Sequence, residues 1–128
     1  MSKEILSTSQ APKAIGPYSQ GIKAQGLIFC SGQVGINPGT GKIEGVTAAD
    51  QARQCLTNLE AVLEAGGAGL NDVVRTTIYL ADMGDFASVN EVYASFFKAA
   101  CPARATFAVK GLPLGAKVEI DCIALAPR

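Results

Sequence analysis

The chain has 128 residues and a mass of 13.2 kDa, and its 11 basic and 11 acidic side chains give a formal net charge of zero. This length predicts a single domain over residues 1–128, because it is too short to build two separate cores. Apolar residues make up 48% and charged residues 17% of the chain, and a surface so poor in charge favours a homo-oligomer. Because no basic cluster is visible, a nucleic-acid surface that contacts phosphates is not expected.

Histidine is absent from the chain, which excludes Ser-His-Asp and Cys-His nucleophilic sites and histidine-ligated metal sites within one chain. The cysteines show no C-x-x-C spacing, so no metal site or redox motif is predicted; they are Cys30, Cys55, Cys101 and Cys122. We expect most of them to be buried free thiols, which implies a reducing compartment. The sequence shows no signal peptide and no membrane-length apolar run. The expected location is therefore the cytoplasm, with an organelle such as the mitochondrion left open.

Short strands separated by turn residues are predicted for the first third of the chain. We expect strands near residues 3–8 and 19–24, joined through a loop with two glycines and a proline. The mostly apolar segment 27–31 predicts a central strand that is buried on both faces and ends at Gly32. The cluster 37–41 (NPGTG) is typical of a turn.

Two amphipathic helices are predicted next. Residues 47–50 have capping-box spacing, Gly66 and Gly67 are expected to end the first helix, and its apolar stripe is Ala52, Leu56, Leu59 and Leu63. Asp85 is expected to cap the second helix and Pro102 to end it. The apolar stripe of the second helix is Phe86, Val89, Tyr93 and Phe96 or Phe97.

Three further strands complete the predicted order: residues 73–80 between the helices, and residues 104–109 and 118–125 at the end of the chain. Two helices on one mixed sheet predict an α+β two-layer sandwich. The sheet face without helices would lie open, which again favours packing between subunits.

Arg104 is the only charged residue between Lys98 and Lys110, and its small and apolar neighbours predict at least partial burial. A buried guanidinium is costly unless an anion pairs with it. Glu119 and Asp121 lie on one face of the last predicted strand. Together these residues suggest a small site for a ligand with a carboxylate group. An internal Arg–Glu salt bridge is the alternative reading.

Five segments resemble the YjgF/RidA family, in the order and at the spacing of that family and over nearly the whole chain: residues 15–21 (IGPYSQG), 31–33 (SGQ), 85–93 (DFASVNEVY), 102–104 (PAR) and 118–120 (VEI). The resemblance implies a chorismate-mutase-like α+β fold and a homotrimer with ligand sites between subunits. It also implies hydrolysis of reactive 2-imino acids such as 2-iminopropanoate and 2-iminobutanoate, or their enamines, to 2-keto acids and ammonia, without a cofactor.

The same resemblance implies roles for single residues. Arg104 matches the arginine that binds the substrate carboxylate, and Glu119 matches the glutamate that orients water. Tyr18, Gly32 and Asn90 match substrate-binding positions.

Thr106 also matches a substrate-binding position, one where many bacterial members have cysteine. The contact expected there is partly through the main chain, and a thiol-based role cannot apply. Asp121 remains an alternative to Glu119 as the acid. A non-catalytic binder of small keto or amino acids, or an RNA-cleaving translation inhibitor, remains an alternative function.

The spacing along the last two predicted strands indicates whether Arg104 and Glu119 of one chain can act together in the same site. In a plain hairpin through residues 110–116, Arg104 and Glu119 would be separated by roughly 13 Å. In the family's strand order they would be two strands apart, roughly 10 Å. Both arrangements hinder direct cooperation, so we expect the site to combine residues from neighbouring subunits.

Overall fold

The computed structural model describes residues 2–127 as one sheet covered by two helices. The sheet has six strands in the order β1-β2-β3-β8-β6-β7, and β4 and β5 form a separate short hairpin. The strand bounds are β1 Glu4–Leu6, β2 Gly21–Ala24, β3 Leu27–Val34, β4 Ile36–Asn37, β5 Lys42–Ile43, β6 Val73–Leu80, β7 Ala103–Ala108 and β8 Val118–Leu125. The helices are α1 Ala48–Ala65 and α2 Phe86–Phe96. The predicted α+β architecture with two helices on one mixed, mostly antiparallel sheet is therefore confirmed.

Helix α1 follows the predicted pattern closely. The Thr47 hydroxyl accepts a hydrogen bond from the Asp50 amide at 3.1 Å, which satisfies one of the free amides of the first turn. At the other end Gly67 has a φ of +83°, a conformation that glycine adopts without steric cost. The Ala68 amide then donates to the Leu63 carbonyl at 2.9 Å. The predicted apolar stripe of α1 is fully buried against the sheet.

Helix α2 differs from the prediction at both ends. Asp85 lies at the N-cap position but makes no capping hydrogen bond with its side chain. The aspartate that caps here is Asp82, whose carboxylate accepts from the Gly84 amide at 2.8 Å and stabilises a short 3₁₀ turn before α2. The helix ends at Phe96, so Pro102 lies beyond a non-helical segment and does not end it.

The last two strands are not a hairpin. Strand β7 pairs with β6 in parallel and forms an edge of the sheet. Strand β8 lies between β3 and β6 and is antiparallel to both. The chain thus crosses from one side of β6 to the other between residues 108 and 118, and the hairpin arrangement considered from sequence spacing is wrong.

The two faces of the sheet have different environments. The helix-covered face carries the main core, including Ile28, Ile78 and Ile120, each fully buried. The opposite face leaves Phe29 at 41% and Phe107 at 45% exposure. The prediction that β3 is buried on both faces is therefore wrong for the single chain, because the second face has no covering layer. The strand also continues past Gly32 to Val34.

The cysteines are free thiols and most of them are buried, which confirms the expectation. Cys30, Cys55 and Cys122 are buried, whereas Cys101 is exposed. Burial raises the pKa of the Cys55 thiol. A hydrogen bond with its cross-strand neighbour Cys30, together with burial, raises the pKa of the Cys122 thiol. Cys55 and Cys122 thus keep their protons, and all three buried cysteines serve as small apolar groups. Among residues 2–127, neither helix has the length and apolarity needed to cross a membrane.

Candidate functional site

Arg104 lies on the edge strand β7, where its register partner is Thr76 of β6. Directly paired residues in a sheet point to the same face, so Arg104 shares the helix-covered face with the fully buried Thr76. Its guanidinium carbon lies 4.9 Å from the ring centre of Tyr93 and 5.7 Å from that of Phe86. Both rings belong to α2.

The guanidinium has no carboxylate partner among residues 2–127; its recorded contacts are with the two aromatic rings. The internal Arg–Glu salt bridge, the alternative reading from the sequence, is therefore absent from the described chain. Arg104 is half-buried, as predicted. Its in-plane N–H groups remain available for an external anion.

Arg104 lines a cleft of about 350 Å³ at the edge of the sheet. We call it the Arg104 cleft; its other lining residues are Asn90, Tyr93, Ala94, Phe97, Cys101 and Pro102. Asn90 and Arg104 are 14 positions apart in the sequence, yet the turn from α2 into β7 places them on one cleft. The structure therefore brings these two predicted residues together.

Glu119 lies on the other face of the sheet. Its register partners are Val34 of β3 and Tyr79 of β6, and Tyr79 is three residues beyond Thr76, which places the two on opposite faces. Glu119 lines a second cleft, of about 340 Å³, with Tyr18, Gly32 and Ser31. We call this the Glu119 cleft; Pro12, Lys13, Ile15, Gln33, Val34, Ile36 and Pro113 complete it.

Gly32 belongs to the Glu119 cleft for a steric reason. Between Cys30 and Gln33 the register of β3 against β8 shifts by one residue, which is the signature of a β-bulge. At this bulge the Glu119 carboxylate lies so close to Gly32 that a methyl group there would overlap it. A glycine is thus needed for the observed position of the carboxylate. The family resemblance implies only that Gly32 is a substrate-binding position, and its close approach to Glu119 is a further finding.

The Glu119 carboxyl has a pKa above its ordinary value. Partial burial is the main cause, and the nearby charge of Asp121 raises the pKa further. A raised pKa brings a carboxyl closer to the range in which it can both accept and return a proton. Asp121 itself accepts a hydrogen bond from the Tyr79 hydroxyl at 2.8 Å. It is not among the residues that line the Glu119 cleft, so of these two carboxylates only Glu119 faces the cleft.

The N-terminal loop that forms one wall of the Glu119 cleft is fixed by Gln20. The side chain of this buried residue accepts from the Thr8 amide at 2.7 Å and donates to the Pro12 carbonyl, also at 2.7 Å. Within the loop, the Tyr18 hydroxyl accepts from the Ile15 amide at 3.3 Å. Tyr18 is 48% exposed, so it lines the cleft rather than packing under the loop.

Thr106 and Tyr93, two residues near the Arg104 cleft, have surroundings that the sequence pattern does not predict. Thr106 lies in β7 opposite Ile78, and its hydroxyl is buried without a hydrogen-bond partner among the described residues; it does not line the Arg104 cleft. The helix periodicity predicts Tyr93 only as part of the apolar stripe of the second helix. In the structure its hydroxyl also forms a hydrogen bond with Thr76 and its ring contacts Arg104. The sequence signal for the hydrogen bond is the tyrosine at a position predicted to be buried, because a buried phenol needs a hydrogen-bond partner.

One chain does not bring the two clefts together. From Arg104 to Glu119 the sheet crosses two strand spacings and three residues, which is roughly 14 Å between Cα positions. Their side chains also point to opposite faces. Asn90 and Arg104 thus form one group, and Tyr18, Gly32 and Glu119 form another.

Comparison with known proteins gives consistent matches over nearly the whole chain. A sequence model of the family described as "Endoribonuclease L-PSP" matches residues 8–126. The Arabidopsis thaliana protein named "Reactive Intermediate Deaminase A, chloroplastic" is 53% identical over 95% of this chain. The chain spans 65% of the length of that relative.

Two further matches cover nearly all of both proteins. The Mus musculus protein named "2-iminobutanoate/2-iminopropanoate deaminase" is 46% identical over 96% of this chain and 91% of its own length. The crystal structure of E. coli TdcF with bound serine superposes with a TM-score of 0.93 at 40% identity, over 97% of this chain and 99% of that one.

Proposed function

The chain belongs to the YjgF/RidA family, and from that premise we propose that it is a hydrolytic deaminase of reactive 2-imino acids. Its substrates are small 2-imino acids such as 2-iminopropanoate and 2-iminobutanoate, or the enamines in equilibrium with them. The products are the 2-keto acid and ammonia. Water is the only co-substrate that this reaction needs, so no metal or organic cofactor is assigned.

One observation carries this proposal: a half-buried guanidinium lines a cleft without a carboxylate from the described chain to neutralise it. Such a group favours an anionic ligand, since an unpaired charge away from water is costly. Two parallel N–H groups of arginine match the two oxygens of a carboxylate and fix its orientation. The serine bound by TdcF is a small molecule with a carboxylate of this kind.

We further propose a homotrimer in which each site lies between two subunits. Glu119, Gly32 and Tyr18 of one subunit would face Arg104 and Asn90 of the partner subunit. The arrangement is supported by the opposite orientation of the two clefts in one chain and by the exposed Phe29 and Phe107 on the uncovered sheet face. A cyclic assembly uses two different surfaces of each subunit and repeats the same site at every interface.

The reaction begins with orientation of the substrate. The Arg104 guanidinium holds the carboxylate, so that the planar C=N carbon beside it faces the Glu119 cleft of the neighbouring subunit. Holding a reactant in place in this way replaces part of the entropy that a reaction in solution must lose. The Asn90 side chain lies on the same cleft as Arg104 and is available for a second polar contact to the substrate.

Glu119 then acts as a general base. It accepts a proton from water while the water oxygen forms a bond to C2 of the protonated imine, which gives a carbinolamine. The protonated Glu119 gives that proton to the amino nitrogen. The C–N bond then breaks, ammonia leaves, and Glu119 takes the proton of the hydroxyl as that group becomes the carbonyl of the 2-keto acid. The raised pKa of Glu119 suits a group that must take up a proton in one step and release it in the next.

The acceleration required is modest, because imines hydrolyse in water without a catalyst. A positioned general base contributes roughly 10²–10⁴-fold, and orientation of the substrate adds to it. No nucleophilic side chain and no covalent intermediate are needed. This agrees with the absence of histidine from the chain and with the burial of three of its four thiols.

The test is the decay of 2-iminobutanoate produced in situ by an amino-acid oxidase. We expect wild-type protein to accelerate the decay and Arg104→Ala to lose roughly 10²–10³-fold in kcat/KM, since two charge-assisted hydrogen bonds disappear. Arg53→Ala, at an exposed position of α1, is the matched control and should keep wild-type activity. If 2-iminobutanoate decayed equally fast with wild-type protein, with Arg104→Ala and without protein, the proposed deaminase activity would be rejected.

The same samples separate the two remaining functions. Stabilisation by 2-oxobutanoate without imine turnover would indicate a binding protein. The family description names an endoribonuclease, but a net charge of zero gives little attraction to phosphates. Absence of RNA binding at low salt is the expected result.

We propose a cytoplasmic location, which microscopy of the tagged full-length chain tests.

A further inference from the structure

We infer that Tyr93, held by Thr76, is a positioning residue that fixes the plane of the Arg104 guanidinium for an incoming carboxylate. The inference deepens the proposed function, since it rests on Arg104 as the carboxylate anchor. Three contacts on the helix-covered face carry it: a strand register, a buried hydrogen bond and a cation–π contact.

The strand register fixes the first contact. Thr76 of β6 is the register partner of Arg104 in β7, so the two side chains leave the sheet side by side. Thr76 is fully buried. Its hydroxyl is therefore a fixed reference point next to the base of the arginine side chain.

The hydrogen bond links this reference point to α2. The Tyr93 and Thr76 hydroxyls are 2.7 Å apart in a buried hydrogen bond in which either can donate. Tyr93 is only 6% exposed, and burial raises the pKa of its phenol. The phenol therefore keeps its proton, and the bond to Thr76 sets the rotation of the whole ring.

The ring in turn contacts the guanidinium. A distance of 4.9 Å from the guanidinium carbon to the ring centre is within the range in which cation and ring attract each other. An arginine stacked on a ring contacts it with the face of the guanidinium and keeps the in-plane N–H groups free. Those in-plane groups are the ones that a carboxylate needs for two parallel bonds. Phe86, at 5.7 Å, adds a second aromatic contact to the same guanidinium.

Tyr93 also has a structural role, and the test must separate the two. Its ring packs on Phe97 with 4.7 Å between ring centres, and both residues belong to the main core. Loss of stability alone would therefore follow from any large change at Tyr93. A change in carboxylate affinity with little change in kcat is the signature of positioning, because a purely structural role would not produce it.

The experiment compares variants by two readouts: calorimetric Kd for 2-oxobutanoate, and KM and kcat for 2-iminobutanoate. Tyr93→Leu should raise Kd and KM about tenfold by removing the cation–π contact, with kcat little changed. Tyr93→Phe and Thr76→Val should each raise them roughly two- to tenfold by removing one hydrogen bond. Thr76→Ser keeps the hydroxyl and should restore the wild-type values. Val89→Ala, at a buried position of α2, should lower the Tm and leave Kd and KM unchanged.

A double-mutant cycle gives the sharpest result. In an Arg104→Ala background, Tyr93→Phe should cause no further loss of 2-oxobutanoate affinity, because its effect acts through the guanidinium. Unchanged Kd in Tyr93→Phe and Thr76→Val, or an equal loss with and without Arg104, would overturn the inference even if Tyr93→Leu failed to fold. The binding readout does not require turnover. Failure of imine hydrolysis in the wild type would thus reject the proposed function without deciding the role of Tyr93.

Discussion

The Arg104 cleft and the Glu119 cleft are built in different ways. The Arg104 cleft is local in sequence: its lining residues fall between Asn90 and Arg104, on one helix and the strand after it. The Glu119 cleft combines the N-terminal loop, the bulge of β3 and the start of β8, and its lining residues extend from Pro12 to Glu119 in the chain. The first therefore depends on the packing of α2, and the second on the long-range register of the sheet.

The difference in construction matches a difference in charge chemistry. Arginine side chains are permanent cations in proteins, and that of Arg104 lies against two aromatic rings, which suits an anchor for an anion. The Glu119 carboxyl has a raised pKa, which suits a group that exchanges protons. In the proposed enzyme the Arg104 cleft therefore binds the substrate carboxylate, and the Glu119 cleft supplies the general base.

Glu119→Gln should produce the largest contrast between the clefts. The amide keeps the shape of the side chain but cannot accept a proton, so kcat should fall roughly 10²–10⁴-fold. Affinity for 2-oxobutanoate depends mainly on Arg104 in the proposed site and should change little. Glu64→Gln, at an exposed position of α1, is the control. A fall in affinity without a fall in kcat would reverse the two assignments.

Gly32→Ala should damage the Glu119 cleft alone. Its methyl group would overlap the Glu119 carboxylate, and displacement of a catalytic group by about 1 Å costs on the order of 10²-fold in rate. Steady-state kcat and the 2-oxobutanoate Kd are the measurements.

Gly69→Ala offers a matched control for that change. Gly69 has an extended φ of −144°, and an added methyl group there meets no atom within 4 Å. It should leave kcat unchanged. Full activity in Gly32→Ala would mean that the observed position of Glu119 is not needed for the reaction.

The pH dependence should show the smallest effect. A general base works only when deprotonated, so kcat should fall as pH falls through the pKa of Glu119. Since that pKa is raised, the fall should occur at a higher pH than for an ordinary glutamate. Asp121→Asn removes the nearby negative charge, which is the smaller cause of the raised pKa, and should move the fall in kcat to lower pH. The fall should still occur at a higher pH than for an ordinary glutamate, because the partial burial of Glu119 remains. If the pH profile of kcat did not move in Asp121→Asn, the charge of Asp121 would not affect the pKa of Glu119.

Local signals in the sequence were sufficient for α1 but not for the edge of the sheet. The Thr47 cap, the leucine stripe and the paired glycines each act within a few residues, and all three appear as predicted. The parallel pairing of β7 with β6 joins segments on either side of α2, and the composition of neither strand indicates it. The burial of β3 was predicted wrongly for a similar reason, because other layers of the structure decide whether a sheet face is covered.

The site shows the same division. Motif positions predicted several of the residues that line the clefts, including Tyr18, Asn90 and Arg104, whereas Thr106 lines neither cleft. Spacing did not predict that Arg104 and Glu119 point to opposite faces, because that depends on the parity of the register through β6. The role of Gln20 in fixing the N-terminal loop was missed as well, since a single buried amide has no sequence signature.

The most direct test of the central claim uses mixed oligomers. Arg104→Ala and Glu119→Gln chains carrying different affinity tags are co-expressed, and trimers containing both are purified through both tags. If each site combines Arg104 of one subunit with Glu119 of the next, every mixed trimer has one intact site and should show about one third of wild-type activity. Activity no higher than that of the two parent variants would contradict a site shared between subunits.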